Sequence, residues 1–206
     1  MKPSLNESFF GTISANTMLE RCMEISDRQK QAPNFLIKMF SVLVGTLLIT
    51  LSSYVTIPLY PVPVTAQTLV VLLIGLSFGT RLSFLTLSLY LFQGAVGLPV
   101  FAGGAGGLAA LFGPTGGYLF GFVAAGSLLG LLARRGFGKN FLTTIIAMLA
   151  GNAVIYFFGV LWLANFIGIE NALKHGVLPF LYGDVLKIFV AAALIPLAWK
   201  FLSHPR

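Results

Sequence analysis

From Phe35 onward, apolar residues form long runs broken only at a few polar, glycine or proline points, whereas the first 34 residues are polar and mixed in charge. A helix needs about 20 predominantly apolar residues to cross a hydrocarbon core about 30 Å thick. The runs predict six transmembrane helices, at Phe35–Ile57, Thr65–Phe78, Leu82–Val96, Thr115–Ala133, Phe141–Ile167 and Val177–Leu202. The second and third are short, at roughly 14 and 15 residues, and need neighbouring backbone to complete the crossing. The fold class is therefore an all-α integral membrane protein, with residues 35–206 as the membrane domain. Residues 1–34 read as a cytoplasmic tail or surface helix, with Leu19, Met23 and Ile25 at loosely amphipathic spacing.

Composition strengthens this reading. The 206 residues are 57% hydrophobic and 9% charged, where soluble domains carry about 25% charged residues. The single cysteine, Cys22, excludes a disulfide framework and a cysteine-built metal site. The net charge of +7 is spread thinly, without the basic patch that nucleic-acid binding requires.

The basic residues orient the chain. With six spans, Lys2, Arg21, Arg28, Lys30, Lys38, Arg81, Arg134, Arg135, Lys139, Lys200 and Arg206 all fall on one side, and Lys174 alone falls on the other. Positive loops stay in the cytoplasm, so both termini are expected inside a bacterial cytoplasmic membrane. The uncharged loops 58–64 and 97–114 then face out. The first contains Pro58, Pro61 and Pro63 and reads as a stiff extended cap, because proline lacks an N–H and disfavours helix before it. The segment 97–117 carries eight glycines and two prolines among Phe101, Leu108, Leu111 and Phe112. It reads as an apolar lid whose glycines allow close backbone approach to a ligand. A loop that merely plugs the bundle end is the alternative.

Two charges stand out below this lid. Residues 28–169 contain no acid, yet Asp184 and Lys187 lie inside the last apolar run. Each costs about 2.5–3.5 kcal/mol on insertion scales, so the pair calls for a ligand or ion site. Asp184 lies roughly 10 Å below the outer end of its helix, and residues at i and i+3 share a face. A purely structural ion pair is the competing reading, although such pairs add little net stability. Gln93 and Tyr90 near the outer end of the third span, Tyr118, Asn152, Tyr156 and Gln67 are the other polar side chains within reach. Most of these are expected to make interhelical hydrogen bonds. Ser41-xxx-Gly45 and the Gly121, Ala125, Gly126, Gly130 series offer close helix approach, either internally or to a partner. No phosphate-loop motif, nucleophile constellation or metal-ligand set is visible. No catalytic activity, cofactor or metal is expected, and no internal repeat suggests a secondary transporter.

The stretches IPLYPVPVTAQTL (57–69), GLPVFAGGAGGLAALFGPTGGYLFGF (97–122), the Gly151-Asn152 step and YGDVLKIFVAA (182–192) resemble the BioY family, biotin-specific substrate-binding (S) components of energy-coupling factor (ECF) transporters. The resemblance runs from about Phe35 to the end. It implies the six-helix S-component fold, high-affinity capture of biotin from outside, and partnership with a coupling membrane protein and two ATP-binding subunits. It places Asp184 and Lys187 at the substrate-binding acid and base. Asn152, Gln93, Tyr118, and the backbone of Gly104 and Gly106 are expected to complete the site. Where relatives can carry a polar residue among the lid glycines, this chain has Ala105. An S-component for another vitamin such as thiamine, or a stand-alone facilitator or secondary transporter, are the alternative functions.

Overall fold

The computed structural model describes residues 17–20 and 34–203. The expected tail therefore lies outside the described residues except at 17–20, as do Cys22, His204 and the basic residues at 2, 21, 28, 30 and 206. The described chain runs α1 (Asn34–Tyr54), a two-residue pair β1 (Thr56–Ile57) and β2 (Val64–Thr65), then α2 (Gln67–Phe78) and α3 (Thr80–Ala95). The lid follows, with a single 3-10 turn at Ala102–Gly104 and the short α4 (Leu108–Leu111). The rest is α5 (Gly116–Arg134), α6 (Phe141–Ile167), α7 (Ile169–Gly176) and α8 (Leu178–Ser203).

Among the described residues, four stretches are helical, long and apolar enough to cross a membrane: Phe35–Tyr54, Gly116–Arg134, Phe141–Ile167 and Ile169–Phe201. The last covers α7 and α8. The α2 helix has 12 residues and α3 has 16, short of the usual span. The first span ends earlier than the apolar run suggests. Thr56 and Ile57 leave α1 and pair antiparallel with Thr65 and Val64, so the proline-rich segment is the loop of a small hairpin. Hydropathy cannot separate these two fates, because a short apolar run fits the end of a helix as well as a strand. The connection after α6 also differs from a plain loop. It forms α7, with Glu170 in its first turn and Lys174 and His175 in its last, the charge order that complements a helix dipole. Asn140 starts α6 by accepting the Thr143 N–H at 2.9 Å, as an N-cap should.

Small residues set the helix crossings. A Cβ on Gly75 of α2 would lie 2.7 Å from Leu129 Cβ and 3.0 Å from the Gly126 carbonyl of α5. One on Gly130 would strike the backbone of Gly79 and Thr80, and one on Gly121 would sit 3.1 Å from the Ile155 backbone of α6. Gly45 of α1 faces Thr86 and Phe78 rather than the outside. Gly45, Gly121 and Gly130 of the small-residue steps therefore serve packing within the bundle. Leu72, Leu87, Leu129, Met148, Ile155 and Leu163 fill the core around α5.

Residues 17–20 close one end. Thr17 and Glu20 cap each other reciprocally, each backbone N–H donating at 3.2 Å to the other's side chain, a capping-box arrangement. Thr17 is buried beside Gly79, and Glu20 pairs with Arg134 at 3.5 Å.

Replacing Gly130 by valine forces branched bulk into backbone that cannot yield, and overpacking of this kind costs about 1–3 kcal/mol. Gly130→Val should lower the melting temperature of the detergent-purified protein by several degrees, while Gly183→Ala inside α8, with nothing within 4 Å of the added carbon, should not lower it and should raise it slightly, since alanine favours a helix interior over glycine by about 0.5–1 kcal/mol. Thermal unfolding followed by intrinsic fluorescence reads both.

Candidate functional site

The pocket lies between the hairpin, the lid and the upper parts of α2, α5, α6 and α8. Val62, Pro63, Phe101 and Ala102 cover it, and Gln67, Thr68, Tyr118, Tyr156 and Phe180 are among its walls. Its aromatic side is ordered. Tyr118 and Phe180 stack with centroids 6.1 Å apart and planes at 15°, and Tyr156 meets Phe180 edge-on at 6.3 Å. The free volume is about 40 Å³, room for a few waters. Small-molecule pockets usually enclose about 300–1,000 Å³. The lid and hairpin are therefore shut down on the walls.

The charged pair sits directly behind this lining. Asp184 is 3% exposed. Its Oδ1 accepts from Lys187 Nζ at 3.2 Å, and its Oδ2 accepts a hydrogen bond from the Tyr156 hydroxyl. Lys187 Nζ also donates to the Thr65 carbonyl at 3.0 Å and to Thr68 Oγ1 at 2.8 Å. An ammonium has three donors and all three are used. A carboxylate has about four acceptor positions, and two remain open here. The pair thus ties α8 to α6 through Tyr156 and to the start of α2 through the threonines. Three of its partners, Thr65, Thr68 and Tyr156, line the pocket.

A second chain of hydrogen bonds leads from Thr65 to the lid. Thr65 Oγ1 donates to Gln67 Oε1 at 3.0 Å, Gln67 Nε2 donates to the Tyr90 hydroxyl at 2.6 Å, and that hydroxyl donates to the Val100 carbonyl at 2.9 Å. From α1, Tyr54 donates to the Pro99 carbonyl at 2.6 Å and Ser53 to the Phe101 carbonyl at 3.3 Å. Phe101 packs edge-on against Tyr90 and over Gly94, where any Cβ would overlap its ring. Gly103 holds φ +66 within the turn, a left-handed conformation that a glycine adopts without a Cβ penalty.

The expected site residues divide into groups. Asp184 and Lys187 come together as the spacing predicts. The Tyr118 ring lines the pocket, while its hydroxyl donates to the Gly176 carbonyl at 2.8 Å. Asn152 is buried on α6 with Oδ1 unpaired, but it is not among the lining residues. Gln93 is half-buried beneath the lid and its backbone carbonyl accepts from Leu98 N; it too is absent from the lining. The Gly104 N–H is committed to the Phe101 carbonyl at 3.0 Å. Gly106 lets the lid fold on itself, since a Cβ there would strike the Leu98 carbonyl. The lid surface facing the pocket is instead Phe101 and Ala102. Thr65, Thr68 and Phe180 were not singled out by sequence. Thr65 and Thr68 were detectable in principle, as polar residues flanking Gln67 just after the proline-rich segment.

These features define a helical membrane protein with a small, lidded pocket, aromatic on one side and backed by a buried carboxylate–ammonium pair. The sequence profile described as the BioY family matches residues 24–204. Biotin transporter BioY of Thermotoga maritima is 40% identical over 162 residues, covering 78% of this chain and 94% of its own. A probable biotin transporter BioY of Pyrococcus horikoshii is 40% identical over 148 residues, covering 71% and 86%. Among solved structures, the S-component for biotin from an ECF-type ABC transporter superposes with a TM-score of 0.73 at 26% identity, covering 80% of this chain and 92% of its own. The chain belongs to the BioY family.

Removing one member of a buried ion pair leaves an uncompensated charge and costs about 3–5 kcal/mol, whereas removing both costs far less. Lys187→Met should therefore lower thermal stability strongly, and adding Asp184→Asn to it should restore part of the loss. A double-mutant cycle on melting temperatures, in the absence of substrate, measures this coupling.

Proposed function

We propose that this chain captures biotin at the outer face of the cytoplasmic membrane and works as the substrate-specific component of an energy-coupling factor transporter. It is a transport component and not an enzyme. The observation that carries the reading is the buried Asp184, which keeps two acceptor positions open behind the wall of an aromatic pocket. The ureido ring of biotin presents two N–H donors and one carbonyl. A carboxylate accepts the donors, and the Tyr118, Tyr156 and Phe180 surface suits the fused ring and its sulfur. For Lys187 to donate to the ligand it must exchange one of its three present acceptors, and the Thr68 hydroxyl is the one that can rotate away. Because the closed pocket holds only a few waters, capture requires the lid, the hairpin or both to lift. Gln93, Asn152, Gly104 and Gly106 then act through lid and helix packing in the closed form.

The same reading assigns six spans and cytoplasmic termini. The short α2 and α3 are completed by the hairpin and lid stacked at their outer ends. At the other end, Lys38 opens α1, Arg81 opens α3 and Arg134 closes α5. Lys139 sits 5.1 Å from the Trp199 ring near the end of α8. One end of the bundle thus collects the basic residues, as positive-inside orientation requires. Residues 1–34 are a cytoplasmic extension to a membrane domain of residues 35–206. The coupling partners are a membrane protein and ATP-binding subunits, with no nucleic acid involved.

Hydrogen bonds to a charged group are worth about 1.5–3 kcal/mol. Asp184→Asn should therefore weaken biotin binding by roughly tenfold or more, with a smaller effect on folding. Isothermal titration of the purified protein with biotin, and with thiamine as control, tests the assignment; saturable thiamine binding with no biotin heat would sink it. Uptake in a biotin-requiring host, with and without the coupling proteins, separates an ECF component from a stand-alone facilitator.

A further inference from the structure

At the basic end of the bundle is a second cavity, of about 410 Å³, away from the lidded pocket. Lys38 of α1, Arg81 of α3 and Arg134 of α5 line it together with Phe78, Leu82, Leu85 and Glu20. Glu20 pairs with Arg134. Among the described residues no carboxylate pairs with Lys38 or Arg81, so within the described structure two cations line this cavity without an acidic partner. The cavity does not end there. An open groove of about 480 Å³ shares Thr80, Arg81 and Leu85 with it and continues along Phe84 and Ser127. Phe84 and Leu85 are each at least half exposed on that flank, where the bundle meets hydrocarbon.

We infer that Lys38 and Arg81 bind the phosphate of one anionic diacyl phospholipid, whose acyl chain lies along Phe84, Leu85 and Ser127. The occupant follows from the shape and the charge. A free phosphate has no use for an apolar groove running from the cations towards the bilayer, and a zwitterionic lipid leaves the two cations half matched. Basic pockets between membrane helices on the cytoplasmic side suit anionic headgroups, and this end of the bundle is the basic one. The turn that presents Arg81 is fixed. Gly79 has φ +76 and Gly130 lets the end of α5 press directly on Thr80. The site is therefore built into the crossing of α5 with the α2–α3 turn and does not depend on mobile side chains alone.

Native mass spectrometry of the protein released from membranes of equal phosphatidylglycerol and phosphatidylcholine content tests this. Phosphatidylglycerol should be retained on the order of tenfold over phosphatidylcholine, as two basic residues at an anionic surface imply. Lys38→Gln with Arg81→Gln should abolish that preference. Equal retention of the two lipids by the unmutated protein overturns the inference even if the double variant cannot be purified. So does displacement of phosphatidylglycerol by millimolar inorganic phosphate. Loss of coupling-protein docking in the double variant, with no lipid preference in the parent, would assign the cations to a protein partner instead and also overturn it. Biotin-induced stabilisation is read in the same samples, so a failed lipid site leaves the biotin reading intact.

Discussion

A carboxylate and an ammonium inside an apolar helix must find partners on neighbouring helices, and here that demand organises the lidded half of the molecule. Lys187 reaches the Thr65 carbonyl and Thr68 hydroxyl, and Asp184 takes the Tyr156 hydroxyl. The Thr65 carbonyl belongs to the last residue of the strand pair, just before the chain turns into α2, so the ammonium is satisfied only where hairpin and helix meet. The hairpin, the start of α2, the middle of α6 and the face of α8 are therefore held in one arrangement by a single ion pair. The pocket is the space left between them.

The other constraint is close backbone approach. Glycines at 75, 121 and 130 bring α2, α5, α6 and the α2–α3 turn nearer than any side chain would permit. Leu129 and Ile155 then fill the crossings. Close packing at these crossings contrasts with the lidded end, where closure rests on hydrogen bonds and the Phe101 ring. A bundle stiff at one end and latched at the other suits a protein that must admit a molecule without disturbing its own core.

Much of this was legible in the sequence, and the misses have physical causes. Asp184 and Lys187 were visible because charge in an apolar run is expensive, and their spacing placed them on one helix face. The α6 bounds, Phe141–Ile167, agree with the apolar run because Asn140 and Gly168 mark both ends. Thr56 and Ile57 were read as the end of a span, because apolarity alone does not distinguish a helix from a strand pair. Thr68 escaped notice since its role depends on Lys187, 119 positions away in the chain, and no local pattern encodes such a contact. Gly104 and Gly106 were expected at the ligand through their N–H groups. In the closed lid the Gly104 N–H donates within its own turn and Gly106 packs against Leu98. Glycine in a sequence signals freedom, but not whether that freedom serves a ligand or the loop itself.

The lid is held through its carbonyls. Tyr54, Ser53 and Tyr90 each donate to a main-chain oxygen, at Pro99, Phe101 and Val100. Every amino acid carries such an oxygen, so these three hydrogen bonds, unlike the packing of the Phe101 ring, do not depend on which side chains the lid displays. A lid residue such as Ala102, which meets the pocket but makes none of these bonds, can change while the donors that fasten the lid stay on α1 and α3. For an engineer, this separates two operations that are usually entangled: recutting the inner surface of the cover, and keeping the cover on its hinges.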